Sequence, residues 1–284
     1  MNSLKTFLLM IAMMVLFMFI GNAVGGPNGM RIALIFSVFM NVFSYWFSDK
    51  IVLAMYRAQP VSSDTDLYKI VERLAKKSNL PMPKVYIIEE RQANAFATGR
   101  NPSHAAVAVT RGILEILDEN ELSGVIAHEL GHVNNRDILI GTVAATMAGA
   151  IMMLANMAKW AAIFGGGRDE DGNRANPLAL IAVAIISPFA AMLIQSAISR
   201  SREYKADAYG AKISGNPLYL ARALRKLELT AQNIPMDANV ATENMFIISP
   251  FSGENVRRLF STHPATADRI RKLEEMRETG EYLL

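Results

Sequence analysis

Apolar and polar positions along this chain segregate on two length scales. On the longer scale, four apolar blocks cover residues 4–24, 32–47, 138–164 and 177–198. A membrane-spanning helix needs about 17–25 mostly apolar residues. The first block meets this length, while the second is shorter and contains Asn41 and Ser44. Gly25, Gly26, Pro27, Asn28 and Gly29 separate the two and predict a turn. Residues 1–47 therefore read as an N-terminal transmembrane hairpin. Taken alone, the first block also fits a signal peptide, with Lys5 at its start and Ala23 and Gly25 near a cleavage point. The second block directly behind it speaks against that. The third block carries Asn156 and Lys159, and the fourth carries Pro188 and Gln195. Residues 138–198 thus read as a second hairpin that spans the membrane or enters it partway. A pair of buried core helices is the alternative.

On the shorter scale, the polar segments 48–137 and 199–284 carry ordinary secondary-structure signals. Leu67, Ile70, Val71 and Leu74 recur at helical spacing within residues 66–78, and Pro81 and Pro83 follow. Residues 85–88, 94–98 and 105–110 predict strands, the last two joined by a turn at Gly99, Asn101 and Pro102. A short helix is expected over 113–117. Asn120 is the expected N-cap of a helix beginning at Glu121. Residues 218–232 and 265–278 predict two more helices, with irregular chain over 234–261. The expected fold is mainly α: membrane helices joined to an α+β domain with a small sheet.

Charge placement supplies an orientation. The turn 25–29 has no basic residue, whereas Lys50, Arg57, Lys69, Arg73, Lys76 and Lys77 follow the second block. Arg200, Arg202, Lys205 and Lys212 follow the fourth. Basic residues favour the cytoplasmic side, so both termini and both polar segments are expected there. Arg168 and Arg174 in the second connection blur the pattern, although Asp169, Glu170 and Asp171 accompany them.

Composition narrows the function classes. Of 284 residues, 51% are hydrophobic and 19% charged, which excludes a disordered chain. The net charge of +3 is too small for a nucleic-acid footprint. The absence of cysteine removes disulfides, thiolate metal sites and cysteine nucleophiles.

The chemistry concentrates at His128-Glu129-Leu130-Gly131-His132, an H-E-x-x-H motif on a predicted helix. Residues four apart project from one helix face, so His128 and His132 can hold one metal ion. Zinc suits imidazole nitrogen and keeps one coordination position open in catalytic sites. Glu129, about 100° further round the helix, can take a proton from the activated water. An ordinary helix surface would carry charged flanks, whereas Val125, Ile126 and Ala127 are apolar. A third ligand is required. Glu203 and Asp207 are again four apart, and one can bind metal while the other holds a liganding histidine by its free N–H. The basic neighbours Arg200, Arg202, Lys205 and Lys212 equally suit a solvated helix face.

HELGH at 128–132, REYKAD at 202–207 and STHPATADRI at 261–270 resemble the HtpX family of bacterial membrane zinc endopeptidases. The resemblance covers essentially the whole chain. It implies a gluzincin-like domain holding one zinc ion per subunit, with Glu203 as third ligand and Asp207 supporting it from behind. Thermolysin-like zinc peptidases carry a glutamate and an aspartate with this separation on a second helix. The resemblance further implies that the strand containing Asn94, Ala95, Phe96 and Ala97 lines the cleft and pairs with the substrate backbone. An inner strand is the plain alternative. His263 either stabilises the oxyanion of the reaction or merely starts the last helix before Pro264. Arg257 and Arg258 suit a solvated face, and His104 a turn. The implied setting is the bacterial inner membrane, with the site at the cytoplasmic face. The implied substrates are misfolded or damaged membrane proteins and unfolded polypeptides. A processing enzyme or exopeptidase on the same metal set, or a non-catalytic metal-binding scaffold, are the other classes. The exopeptidase lacks any motif for a substrate terminus, and the scaffold would not need Glu129.

Overall fold

The structure, a computed structural model, describes residues 2–148, 151, 200–234, 236, 238, 240–249 and 264–283. Most of the third apolar block and all of the fourth lie outside these residues, as do Arg257, Arg258 and His263.

Residues Asn2–Met55 (α1) are helical on both sides of the expected turn, with Pro27 inside the span. The chain doubles back there. Gly26 has φ +58°, a left-handed conformation that reverses the helix direction and that glycine adopts without a Cβ penalty. Pro27 then starts the second arm, where its missing N–H has no role to lose. The two arms touch along their length. The Phe17 and Phe36 rings lie 5.7 Å apart, and Asn41 Nδ2 donates to the Met10 carbonyl at 3.2 Å. Gly26–Met55 is the one helix among the described residues long and apolar enough to cross a membrane. Much of the hairpin's outward face is apolar and exposed, including Phe7, Ile11, Val15, Phe19, Ile32, Ile35, Phe39 and Val42.

Four strands form one sheet in the order β1 (Gln59–Pro60), β2 (Lys84–Ile88), β4 (Ala105–Thr110), β3 (Ala95–Gly99). β2 and β4 run parallel, with Val85 opposite Val107. β3 pairs with β4 antiparallel, with Ala97 opposite Val107. β3 thus ends the sheet. Helix α2 (Asp66–Lys77) is capped by Thr65, whose hydroxyl accepts from the Tyr68 N–H, and it buries Leu67, Ile70, Val71 and Leu74. The short helix α3 (Arg111–Ile116) follows β4.

Helix α4 (Glu119–Asn134) begins two residues earlier than the sequence suggests. Its N-cap is Asp118, not Asn120. Asp118 accepts from the Glu121 N–H at 2.9 Å, and Glu121 returns a bond to the Asp118 N–H at 3.1 Å. This reciprocal box satisfies two free helix-end donors, which a single Asn120 cap would not. Val125, Ile126, Ala127 and Leu130 on α4 are fully buried, so α4 is the central helix of the domain. Its C-cap is Asn135, and Arg136 at φ +56° turns the chain into α5 (Asp137–Ala148), the start of the third apolar block. Val143, Ala144 and Met147 of α5 join Met13 and Phe17 of the hairpin in one apolar cluster.

Three helices complete the domain: α6 (Arg200–Ser214), α7 (Pro217–Asn233) and α8 (Thr266–Thr279). Asn216 caps α7, and Gly280 at φ +72° ends α8. Small residues let α6 lie against α4. A Cβ on Gly131 would stand 3.1 Å from Ala206 Cα, and one on Gly210 would stand 2.9 Å from His128 N. The backbones meet at the level of the H-E-x-x-H motif.

Candidate metal centre

His128 and His132 lie one helical turn apart on α4, and Glu203 faces them from the first turn of α6. His128 Nε2 and His132 Nε2 point at each other, 3.2 Å apart. Glu203 stands 3.8 Å from the first through Oε2 and 3.4 Å from the second through Oε1. One ligand atom from each of the three residues lies within 4.8 Å of the others, so the group could hold a metal ion.

Both ring orientations are set from behind. Asp207 Oδ1 sits 2.9 Å from His128 Nδ1, and Asp137 Oδ2 sits 3.4 Å from His132 Nδ1. With each Nδ1 facing a carboxylate, both Nε2 lone pairs are left to face the shared point. Two imidazoles, one carboxylate and an open side form the donor set of a catalytic zinc site, so the residues present fit that ion.

Arg269 of α8 is the largest fully buried side chain of the described residues, and its charge is matched inside the core. Its Nε donates to Asp207 Oδ2 at 2.9 Å and its Nη2 to Asp207 Oδ1 at 2.7 Å. Nη1 stands 3.6 Å from Glu203 Oε2. A two-pronged pair of this kind fixes the carboxylate plane as well as its position.

These neighbours shift the titrations. Burial pushes His128 down to about 4, with the Asp207 hydrogen bond opposing. Burial also works against charge on His132, but the Glu203 and Asp137 carboxylates outweigh it and raise the ring to about 9. Burial raises Glu129 to about 7. Asp207 is held below the usual carboxylate range because Arg269 and His128 outweigh its burial. Glu129 and the three candidate ligands line one cavity of about 40 Å³, with Ala97, Asp137, Met245, Phe246 and Ile247. The Ala97 N–H of β3 donates to the Glu129 carboxylate.

The structure thus brings His128, Glu129, His132, Glu203 and Asp207 together, with Ala97 of the expected strand beside them. Asn94 and Phe96 are buried within the fold. His104 bonds Asn101 in an exposed turn. Two residues of the centre escape sequence reasoning. Asp137 is five positions from His132 and returns only because the chain turns at Arg136. Arg269 lies within the STHPATADRI motif, and its place on a stripe with Ile270 and Leu273 was the available signal.

Comparison with known proteins places the chain in a family. Positions 61–277 match the profile described as Peptidase family M48. The chain is 57% identical over 282 residues to a protease HtpX homolog of Desulforapulum autotrophicum, covering 98% of this chain and 91% of that one. It is also 57% identical over 286 residues to the Ralstonia nicotianae homolog, covering 99% of each. The crystal structure of S. mikatae Ste24p shares the fold at a TM-score of 0.54 and 21% identity. That similarity covers 93% of this chain but spans only 62% of the Ste24p chain. With a profile match across most of its length and relatives this similar end to end, the chain belongs to peptidase family M48 and is a membrane metalloprotease of the HtpX type.

Proposed function

We propose that the protein is a zinc endopeptidase that cleaves misfolded or damaged membrane proteins and unfolded polypeptides at the cytoplasmic face of the bacterial inner membrane. His128, His132 and Glu203 hold one zinc ion per chain. Asp207 orients His128, and Asp137 orients His132. Zinc in this position supplies Lewis-acid chemistry, polarising the scissile carbonyl and acidifying water. Glu129, with a carboxyl raised to about 7, accepts a proton at neutral pH and returns it to the leaving amine. The β3 edge receives the substrate backbone, so binding draws on main-chain hydrogen bonds and demands little of the sequence. His263 is assigned to the oxyanion on its place in the STHPATADRI motif. Residues 1–47 and 138–198 are membrane hairpins around the cytoplasmic segments 48–137 and 199–284. The second hairpin is inserted between His132 and Glu203, which ties the centre to the bilayer surface.

The observation that carries this reading is the convergence of two Nε2 atoms and one carboxylate beside a buried glutamate that is not a ligand. The test is cleavage of an unfolded membrane protein by the purified enzyme in vesicles. A chelator should stop it and added zinc should restore it. Cleavage that ignores the chelator contradicts the reading.

A further inference from the structure

The outer edge of β3, where Ala95 directs its carbonyl and Ala97 its N–H, is already occupied by the chain itself. The Ile247 N–H donates to the Ala95 carbonyl at 3.0 Å. Arg269 Nη1 donates to the Ile247 carbonyl at 3.0 Å. Asn94 takes the next residue with both ends of its amide. Its Nδ2 donates to the Ile248 carbonyl at 2.9 Å, and its Oδ1 accepts from the Ile248 N–H at 3.4 Å. Thus all four backbone polar groups of two consecutive residues are satisfied by cleft residues. Residues 246–248 bend past this edge after the 3-10 helix Val240–Met245 and meet Ala95, Asn94 and Arg269 through their main chain; none of these bonds uses the side chain of Ile247 or Ile248.

The neighbouring residues hold this segment in place. The Phe246 ring packs against Tyr56 and Phe96, with centroids 5.4 Å from each, and is fully buried. The Tyr56 hydroxyl bonds the Thr242 hydroxyl. Asn244 Nδ2 reaches the Gly141 carbonyl at 3.5 Å. Asn244, Met245, Phe246 and Ile247 wall the cavity of about 40 Å³ beside the metal centre. Such a volume holds a few waters and no peptide.

We propose that residues 245–248 are a built-in peptide mimic, a strap lying in the substrate groove that keeps the protease closed until a substrate strand displaces it. The proposal rests on the reading of β3 as the substrate edge. Arg269 holds the strap carbonyl and Asp207 with one guanidinium, so the strap and the support behind His128 share a single side chain. A substrate strand that replaces the strap takes over its partners: the Ala95 carbonyl, the Asn94 amide and Arg269.

Hydrogen–deuterium exchange on the full-length, zinc-loaded protein in detergent tests this, with a short apolar peptide hydroxamate as probe. The expected result is slower exchange in residues 95–99 and faster exchange in 245–249 when the probe binds. Slower exchange in 95–99 with unchanged or slower exchange in 245–249 overturns the strap and leaves the substrate edge standing. Inhibition by the probe without any change in 95–99 overturns both. Ile247→Pro gives an independent readout, because it removes the N–H that bonds Ala95. Losing one hydrogen bond from the closed form should raise kcat/KM on a short unstructured peptide about fivefold. A fixed wall of the site would instead lose activity on this change. Should Ile247→Pro fail to fold, the exchange measurement on the parent protein decides.

Discussion

His128 and His132 are the same side chain one turn apart, yet their surroundings drive them in opposite directions. His128 is pushed down to about 4 by burial and is neutral at physiological pH. His132, facing Glu203 and Asp137, is raised to about 9 and carries a proton there in the metal-free centre. A ligand must be deprotonated, so zinc has to displace that proton. Apparent zinc affinity should therefore rise by about tenfold per pH unit between pH 7 and 9 and level off above. Competition with a chelating dye across this range measures it, and a flat profile would remove His132 from the ligand set. The pairs 128/132 and 203/207 could be found in the sequence because helical spacing places each pair on one face. Asp137 and Arg269 could not be found by that rule. Asp137 meets His132 through a left-handed residue at the helix end, which no periodicity encodes. Arg269 is a full charge inside the core, where sequence reasoning expects apolar side chains unless a partner is known. Its partner, Asp207, lies 62 residues away.

At the scale of elements, the centre depends on how closely α6 approaches α4. Glu203, Ala206, Asp207 and Gly210 follow one another at helical spacing along the contact face. Gly210 allows the backbone of α6 to reach His128 N, a main-chain atom that cannot move aside like a side chain. Gly210→Ala should cost about 1–3 kcal/mol through overpacking. It should lower zinc affinity at the same time, because it pushes Glu203 away from the histidines. Thermal unfolding and zinc titration on the same variant check both effects. Parental values for both would show that the helix contact does not hold the site. Most elements were marked in the sequence, though not the two-residue strand β1 or the 3-10 helix Val240–Met245, and the shifted start of α4 has a local cause. α4 starts at Glu119 because Asp118 and Glu121 cap each other, a signal that lies in the spacing D-x-x-E. Asn120 is a good capping residue drawn into the first helical turn by that stronger box.

For the whole molecule, the hairpin presents large apolar side chains outward while the protease domain has an ordinary buried core. Such a surface is stable in lipid and costly in water. The absence of cysteine makes its orientation simple to measure, since any introduced thiol is the only one. Asn28→Cys, near the reversal, should react with an impermeant maleimide in intact cells. Ser63→Cys, between β1 and α2, should react only after the membrane is opened. The reverse labelling pattern would invert the proposed orientation. The reversal near Gly26 was expected from the run of glycines and Pro27. Its form was not, because helical conformation resumes directly on either side of the turn and a single left-handed φ angle marks it.

The central claim is that Glu129 acts on the reaction while His128, His132 and Glu203 hold the metal. Its most direct test is the zinc content and peptide-hydrolysis rate of Glu129→Ala, measured together on purified protein. The expected result is one zinc ion per chain with hydrolysis lower by about 10²- to 10⁴-fold, the usual loss when a general base is removed. Retained zinc with hydrolysis at the parental rate would contradict the account.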